Sequence, residues 1–210
     1  MIANMRWYER PRQAKGENSE GWRSRGYLPH FDHEDCCQFV TFSLHDALPN
    51  EVTLRIEAQV MRMTDLERAQ FRRRAIELEL DRGHGSLTLK DPRAARIVKD
   101  ALLFFDQERY SLEAWTVMPN HVHVLYETSP RYPLDKVLHS WKSFTSKEIN
   151  KILGRRGILW QEEYYDRFVR NAKHYANCVS YIEENPVKAG LCKTRQEWKW
   201  GSAGVSSLRT

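Results

Sequence analysis

An α+β fold, an antiparallel sheet covered by helices, is what this 210-residue sequence predicts. Three observations carry the expectation. Short β-branched and aromatic runs alternate with a two-residue period, longer segments repeat apolar residues at helical spacing, and their order is β, α, α, β, β, α, β, α. "CCQFVTFSL" (36–44) reads as the first strand, ended by "HDALPN". Thr64 and Glu67 form a capping box ahead of a helix with Leu66, Ala69, Ile76 and Leu80 on one face, closed by Gly83 and Gly85. Asp91-Pro92 starts a second helix with the stripe Ala94, Ile97, Val98, Ala101, Leu102 and Phe105.

"YSLEAWTVM" and "HVHVLYE" then read as a hairpin joined by a tight turn at Pro119-Asn120. Leu134, Val137, Leu138, Trp141, Phe144, Ile149 and Ile152 outline a third helix that Gly154 closes. "GILWQ" (157–161) fits a short edge strand. Asn171 caps a last helix buried through Tyr175, Cys178, Val179 and Ile182, and Pro186 is expected to stop it.

Composition narrows the classes. Hydrophobic residues make up 41% and charged residues 29%, an ordinary globular mix. Lys and Arg number 33 against 28 Asp and Glu, so the net charge of +5 permits a polyanionic partner without requiring one. Charges interrupt every apolar stretch, which excludes a membrane span, and the N-terminus lacks the apolar segment of a signal peptide. Four cysteines (Cys36, Cys37, Cys178, Cys192) form no C-x-x-C pair, as expected of reduced thiols in a cytoplasmic protein. Residues 1–34 read as an irregular basic arm that orders on a partner, and 35–210 as a single domain.

His121 and His123 lie at i and i+2 of a strand, so both side chains face one side of the sheet. Two neutral imidazoles so placed can converge on one divalent ion. The same short pattern also suits two histidines on a half-solvated sheet face, and spacing alone does not choose. A histidine-triad hydrolase needs a third imidazole two residues further on, where this chain has Leu125. "HFDHEDCC" (30–37) has no distant partner at zinc-site spacing and reads as a solvated acidic turn. Tyr181 and Asn185 are four apart, on neighbouring turns of one helix face at the flank of its apolar stripe.

Taken in order, "WTVMPNHVHVLYE", "HSWKSFTSKEINK", "LWQEEYYDRFVRN" and "YIEENPVKAGL" resemble the REP-associated tyrosine transposases, single-tyrosine members of the HUH endonuclease superfamily. The resemblance covers roughly 90–210 and the first strand; residues at about 48–88 look like a helical insertion. It implies a ferredoxin-like or RRM-like sheet and a metal-dependent endonuclease and strand transferase acting on single-stranded DNA that folds into hairpins at palindromic repeats. By the same resemblance His121, His123 and Asn185 hold Mg²⁺ or Mn²⁺, and Tyr181 is the nucleophile that becomes joined to a 5′ phosphate. Tyr164 and Tyr165 compete for that role, and related enzymes often have Gln in the place of Asn185.

Lys142, Lys147, Arg167, Arg170 and Lys188 lie among the motifs, interleaved with Trp141, Phe144, Trp160 and Tyr165. Basic groups with aromatics suit single-stranded DNA held by backbone charge and base stacking, with Arg167, Arg170, Lys142 and Lys188 as the expected contacts. Trp141 and Phe144 equally fit the core face of their own helix. The rival class is an RRM-like module that binds single strands without cutting them. Monomer and homodimer both remain open.

Overall fold

The strand that begins the main sheet, β3 (Cys37–Ser43), is buried along its whole length, so both of its faces must be covered. Its neighbours are β5 (His121–Glu127) on one side and β6 (Tyr165–Phe168) on the other, with β4 (Ser111–Val117) outside β5. All pairings are antiparallel, in the order β4-β5-β3-β6, which is the split β-α-β arrangement of ferredoxin-like domains. The computed structural model describes residues 22–24, 29–31, 37–61, 63–127, 129 and 131–206.

The helices are α1 (Asn50–Val60), α2 (Asp65–Asp81), α3 (Pro92–Phe104), α4 (Leu134–Ile152), α5 (Ala172–Lys188) and the short α6 (Ser202–Ser206). Register sorts the side chains into two faces, because paired residues in antiparallel strands point the same way. Val40 and Phe42 of β3, Val122, Val124 and Tyr126 of β5, and Trp115 and Val117 of β4 share one face. That face packs into the larger core with Val98 and Leu102 of α3 and Val137, Leu138 and Trp141 of α4. Phe39 and Leu125, with Ala114, face the other way and pack on Cys178 and Ile182 of α5. His121 and His123 lie on this second face, paired with Ser43 and Thr41.

Several local expectations hold for visible reasons. Asp91 accepts from the Arg93 backbone N–H with Pro92 at the first helical position, and Asn171 accepts from the His174 N–H at 2.8 Å. The Thr64–Glu67 capping box forms at the start of α2; the side chains of Leu66 and Ala69 lie outside the described residues. No helix among the described residues is long and apolar enough to cross a membrane. Cys37, Cys178 and Cys192 are free thiols, and Cys36 is outside the described residues.

Other expectations are corrected. Pro186 does not stop α5, which continues to Lys188 with Pro186 buried inside it. In the last turn a proline forfeits a single backbone bond, and Ala189 N–H to Asn185 O closes the helix beyond it. "GILWQ" makes only an isolated bridge between Trp160 and Leu44, and the edge strand is β6. Phe144 is 54% exposed because it falls on the outer flank of α4, so it is no core residue. Helix α1 falls in the segment read as a helical insertion, without bounds of its own because apolar Val52, Leu54 and Ile56 alternate as in a strand; Val52, Ile56 and Val60 bury one helical face and Leu54 is exposed. Most of residues 1–34 and of the 30–37 cluster lie outside the described residues. Within the expected irregular arm, β1 (Trp22–Ser24) pairs antiparallel with β2 (Pro29–Phe31); Gly26 between two short runs is a hairpin signal.

Ile182 is fully buried where α5 meets Phe39 and Leu125. Truncation to Ala should cost about 2–5 kcal/mol, read as a lower urea midpoint with an unchanged slope. A midpoint unchanged from the parent would show that α5 is not held to the sheet through this contact.

Candidate active site

Pairing of β5 with β3 fixes the two histidines, and burial fixes their charge. Both are fully buried, with their Nε2 atoms 3.0 Å apart and ring planes at 73°. Burial drives both pKa values down, that of His121 to about 3, so both imidazoles are neutral at physiological pH. For His123, the neighbouring His121 and the Arg167 guanidinium push further in the same direction.

Asn120, buried in the turn before β5, sets the tautomer of His121. Its Nδ2 donates to the carbonyls of Leu80 (3.1 Å) and His84 (3.2 Å), which leaves Oδ1 to face His121 Nδ1 at 2.7 Å. An amide oxygen only accepts, so Nδ1 carries the proton and His121 Nε2 presents a bare lone pair. His123 Nδ1 lies 2.7 Å from Thr41 Oγ1, its cross-strand partner. Such partners to the far ring nitrogen orient metal-binding imidazoles.

Helix α5 closes the face. The Tyr181 ring stands edge-on to His123 at 5.3 Å and lies 5.8 Å from Phe39, with Lys188 Nζ 5.6 Å over it. One turn on, buried Asn185 directs Nδ2 to His123 Nε2 (3.2 Å) and to Asp81 Oδ1 (3.1 Å). Asn185 Oδ1 and the Tyr181 hydroxyl are buried atoms that take no hydrogen bond of ordinary geometry. Burial, with the Asp81 and Glu77 carboxylates adding to it, raises the Tyr181 pKa; Arg167 and the Asn185 amide pull the other way. At rest the phenol is protonated.

Asp81 was missed by sequence reasoning. It ends α2, and with His121 and His123 it forms a cluster whose ligand atoms all lie within 4.8 Å of one another. Arg73, Glu77 and Asp81 recur every four residues, a polar stripe along α2 that was the only sequence signal and that also fits a solvated face. Burial raises the carboxyl pKa of Glu77, while Arg167 and Arg73 hold it down.

The donor set suits a divalent cation: two neutral imidazoles, one shown to offer a lone pair, an amide oxygen without a partner and a carboxylate. Among the basic residues, Arg167 lies on the histidine face with its guanidinium 4.3 Å from the Phe39 centroid and a buried, unpartnered Nε. Arg170 is exposed at the rim, and Lys188 overlooks Tyr181. Lys142 is not brought to the site: it lies on α4, across the sheet, donating to the carbonyls of Gln161 (2.9 Å) and Glu162 (3.0 Å). Trp141 and Trp160 are core residues of that opposite face. Of the competing tyrosines, Tyr164 is buried in the same core. Burial lifts the Tyr165 pKa to about 12.

The split β-α-β sheet thus carries His121 and His123 on a central strand, opposite Tyr181 on the closing helix. Residues 88–185 match the family described as "Transposase IS200 like". The REP-associated tyrosine transposase of Escherichia coli (strain K12) is 29% identical over 108 residues, covering 51% of this chain and 63% of the relative. The chain thus spans less than two thirds of that relative's length. A solved structure of a REP-associated tyrosine transposase bound to a REP hairpin superposes with a TM-score of 0.50 at 19% identity, over 86% of this chain and 84% of that one. At that identity the likeness concerns the fold.

Metal-free protein should lose stability on acidification, and the sign follows from the depressed histidine values. Unfolded histidine titrates near 6.5 (roughly the free-residue value), whereas folded His121 does so at about 3. The unfolded chain therefore binds more protons between these limits. The His121 contribution is fully present above about pH 6.5, falls as pH drops, and is gone below about 3. Melting temperatures of chelator-treated protein should decline over that window, and less steeply in His121→Ala. Parallel profiles for the two proteins would mean that the imidazole is not desolvated.

Proposed function

We propose that the protein is a metal-dependent enzyme that nicks and rejoins single-stranded DNA at hairpin-forming repeats. One observation carries the reading: the His121 lone pair, the His123 ring, the unpartnered Asn185 oxygen and the Tyr181 hydroxyl converge on one face. Such a set has no use in a module that only holds DNA. The family match and the hairpin bound in the solved relative support DNA as substrate.

His121, His123 and Asn185 would hold Mg²⁺ or Mn²⁺, with Oδ1 of Asn185 turned toward the ion. A bound divalent ion supplies Lewis-acid neutralisation of the non-bridging phosphate oxygens and opposes the raised pKa of the phenol. Tyr181, held in place by its edge contact with His123, attacks phosphorus in line with the leaving 3′ oxygen. The attack forms the Tyr181 Oη–P bond and breaks P–O3′; the phenol gives up its proton and the departing oxygen takes one. A 5′-phosphotyrosine results, which conserves the phosphodiester energy, so joining needs no ATP. Arg167, Arg170 and Lys188 line the approach as phosphate contacts. Lys142 drops out of that role because its ammonium is already bound to two carbonyls.

Incubation with a labelled single-stranded hairpin and Mn²⁺ should give a covalent protein–DNA adduct. Tyr181→Phe should abolish it while leaving hairpin binding nearly intact. His121→Ala or His123→Ala should remove the metal-dependent reaction. An adduct that persists in Tyr181→Phe moves the nucleophile to another tyrosine, and binding without any adduct in the parent protein establishes the binding-module alternative.

Arg167→Ala and Arg170→Ala should each weaken hairpin binding and lower its salt slope by about 0.7 for a single-strand phosphate contact. Slower adduct formation at saturating DNA should accompany this, because strand misplacement is costly to in-line attack. Unchanged slopes would make these arginines structural.

A further inference from the structure

Helix α2 lies outside the family-matched segment 88–185, yet its last residue reaches the histidine pair. Three contacts pin that end in place. Asn120 donates to the carbonyls of Leu80 and His84 while its Oδ1 accepts from the His121 Nδ1–H, so one side chain ties α2 and β5 together. The Ser86 N–H donates to Asp46 Oδ2 at 2.8 Å. Gly85, at φ +84°, lies so near the Asp46 carbonyl that any Cβ would collide with it. The position of Asp81 is therefore built into the fold.

Its chemistry is otherwise unexplained. Asp81 is half-buried, and burial acts against its charge. Its hydrogen bond comes from Asn185, and its ion-pair neighbour among the described residues is His121 Nε2 at 3.6 Å, which is neutral. No guanidinium or ammonium lies within ion-pairing distance among the described residues. The carboxylate and the His121 lone pair are two electron-pair donors that face each other, and the favourable pull of Lys188 on the charge comes from beyond ion-pairing distance. A divalent ion satisfies both donors.

We propose that Asp81 is an anionic ligand of the ion at His121 and His123, contributed by a helix from outside the family-matched segment. The inference rests on the metal-dependent reading above and adds to it. Two imidazoles and an amide form a neutral set, which holds a hard cation weakly until a phosphate oxygen arrives. Adding one carboxylate oxygen lets the ion reside before DNA binds. It also gives Asn185 Nδ2 an acceptor besides His123 Nε2, since Nδ2 donates to Asp81 Oδ1 while Oδ1 of the amide has no partner.

The test is calorimetric titration of the full chain with MnCl₂ at neutral pH, without DNA, for the parent, Asp81→Asn, Asp81→Ala and His121→Ala. Metal-free melting temperatures would check that each variant folds. The expected result is weaker Mn²⁺ binding by at least about tenfold in both Asp81 variants, since removing even an outer partner of a metal ligand costs that much. Asn in place of Asp81 keeps an oxygen to accept from Asn185 and loses only the charge. Parent-like affinity in Asp81→Asn with loss in Asp81→Ala would overturn the ligand role and leave Asp81 as a positioning residue for Asn185. Parent-like affinity in both, with binding lost in His121→Ala, would overturn the proposal and spare the functional reading. Parent-like affinity in all three would overturn both.

Discussion

The register between β3 and β5 is the constraint on which the rest depends. Thr41 opposite His123 and Ser43 opposite His121 put both imidazoles on the face that α5 seals. A slip of one residue would turn the histidines into the Val40, Phe42 and Trp141 core and bring Val122 and Val124 to the site. The pairing is strongly specified because both faces are buried. It also supplies chemistry: Thr41 is at once the register partner and the hydrogen-bond partner of His123. Sheet geometry and imidazole orientation are thus fixed by the same contact.

The second requirement is a rigid carrier for the groups that meet the histidines. A helix presents positions i and i+4 on one face, so Tyr181 and Asn185 arrive together once Cys178 and Ile182 are packed on Phe39 and Leu125. Continuing α5 through Pro186 matters here. A helix ended at that proline would leave Asn185 in its frayed last residue, whereas the observed one holds it a turn inside, with its carbonyl accepting from Ala189. Lys188, on the added turn, then overlooks the Tyr181 ring.

Much of this was legible in the sequence because it is local. Two-residue alternation and the Pro119-Asn120 turn gave the hairpin and the shared direction of His121 and His123. Asp91-Pro92 and Asn171 marked helix starts through cap chemistry, and the Tyr181–Asn185 spacing gave one face of one helix. Tertiary contacts were not legible. Asp81 belongs to a stripe with Arg73 and Glu77 that looks like any solvated helix surface, and only the fixing of α2 by Asn120, Asp46 and Gly85 turns it inward. Strand β6 exists through its pairing with β3, since "YDRF" has little apolar pattern of its own. Lys142 and Phe144 show the converse limit. Both lie in a family-like motif, yet one side chain is engaged by carbonyls of a loop and the other faces outward.

The central claim is that the buried face between β5 and α5 is built to hold one divalent ion beside Tyr181. Anomalous diffraction from crystals of Tyr181→Phe grown with Mn²⁺ and a hairpin addresses it most directly. The account predicts one strong manganese peak bonded to the Nε2 atoms of His121 and His123, with the Asn185 oxygen turned toward it and the edge of the substituted aromatic ring facing a DNA phosphate. A histidine pair with no peak between its Nε2 atoms, while manganese binds elsewhere on the chain, would contradict it.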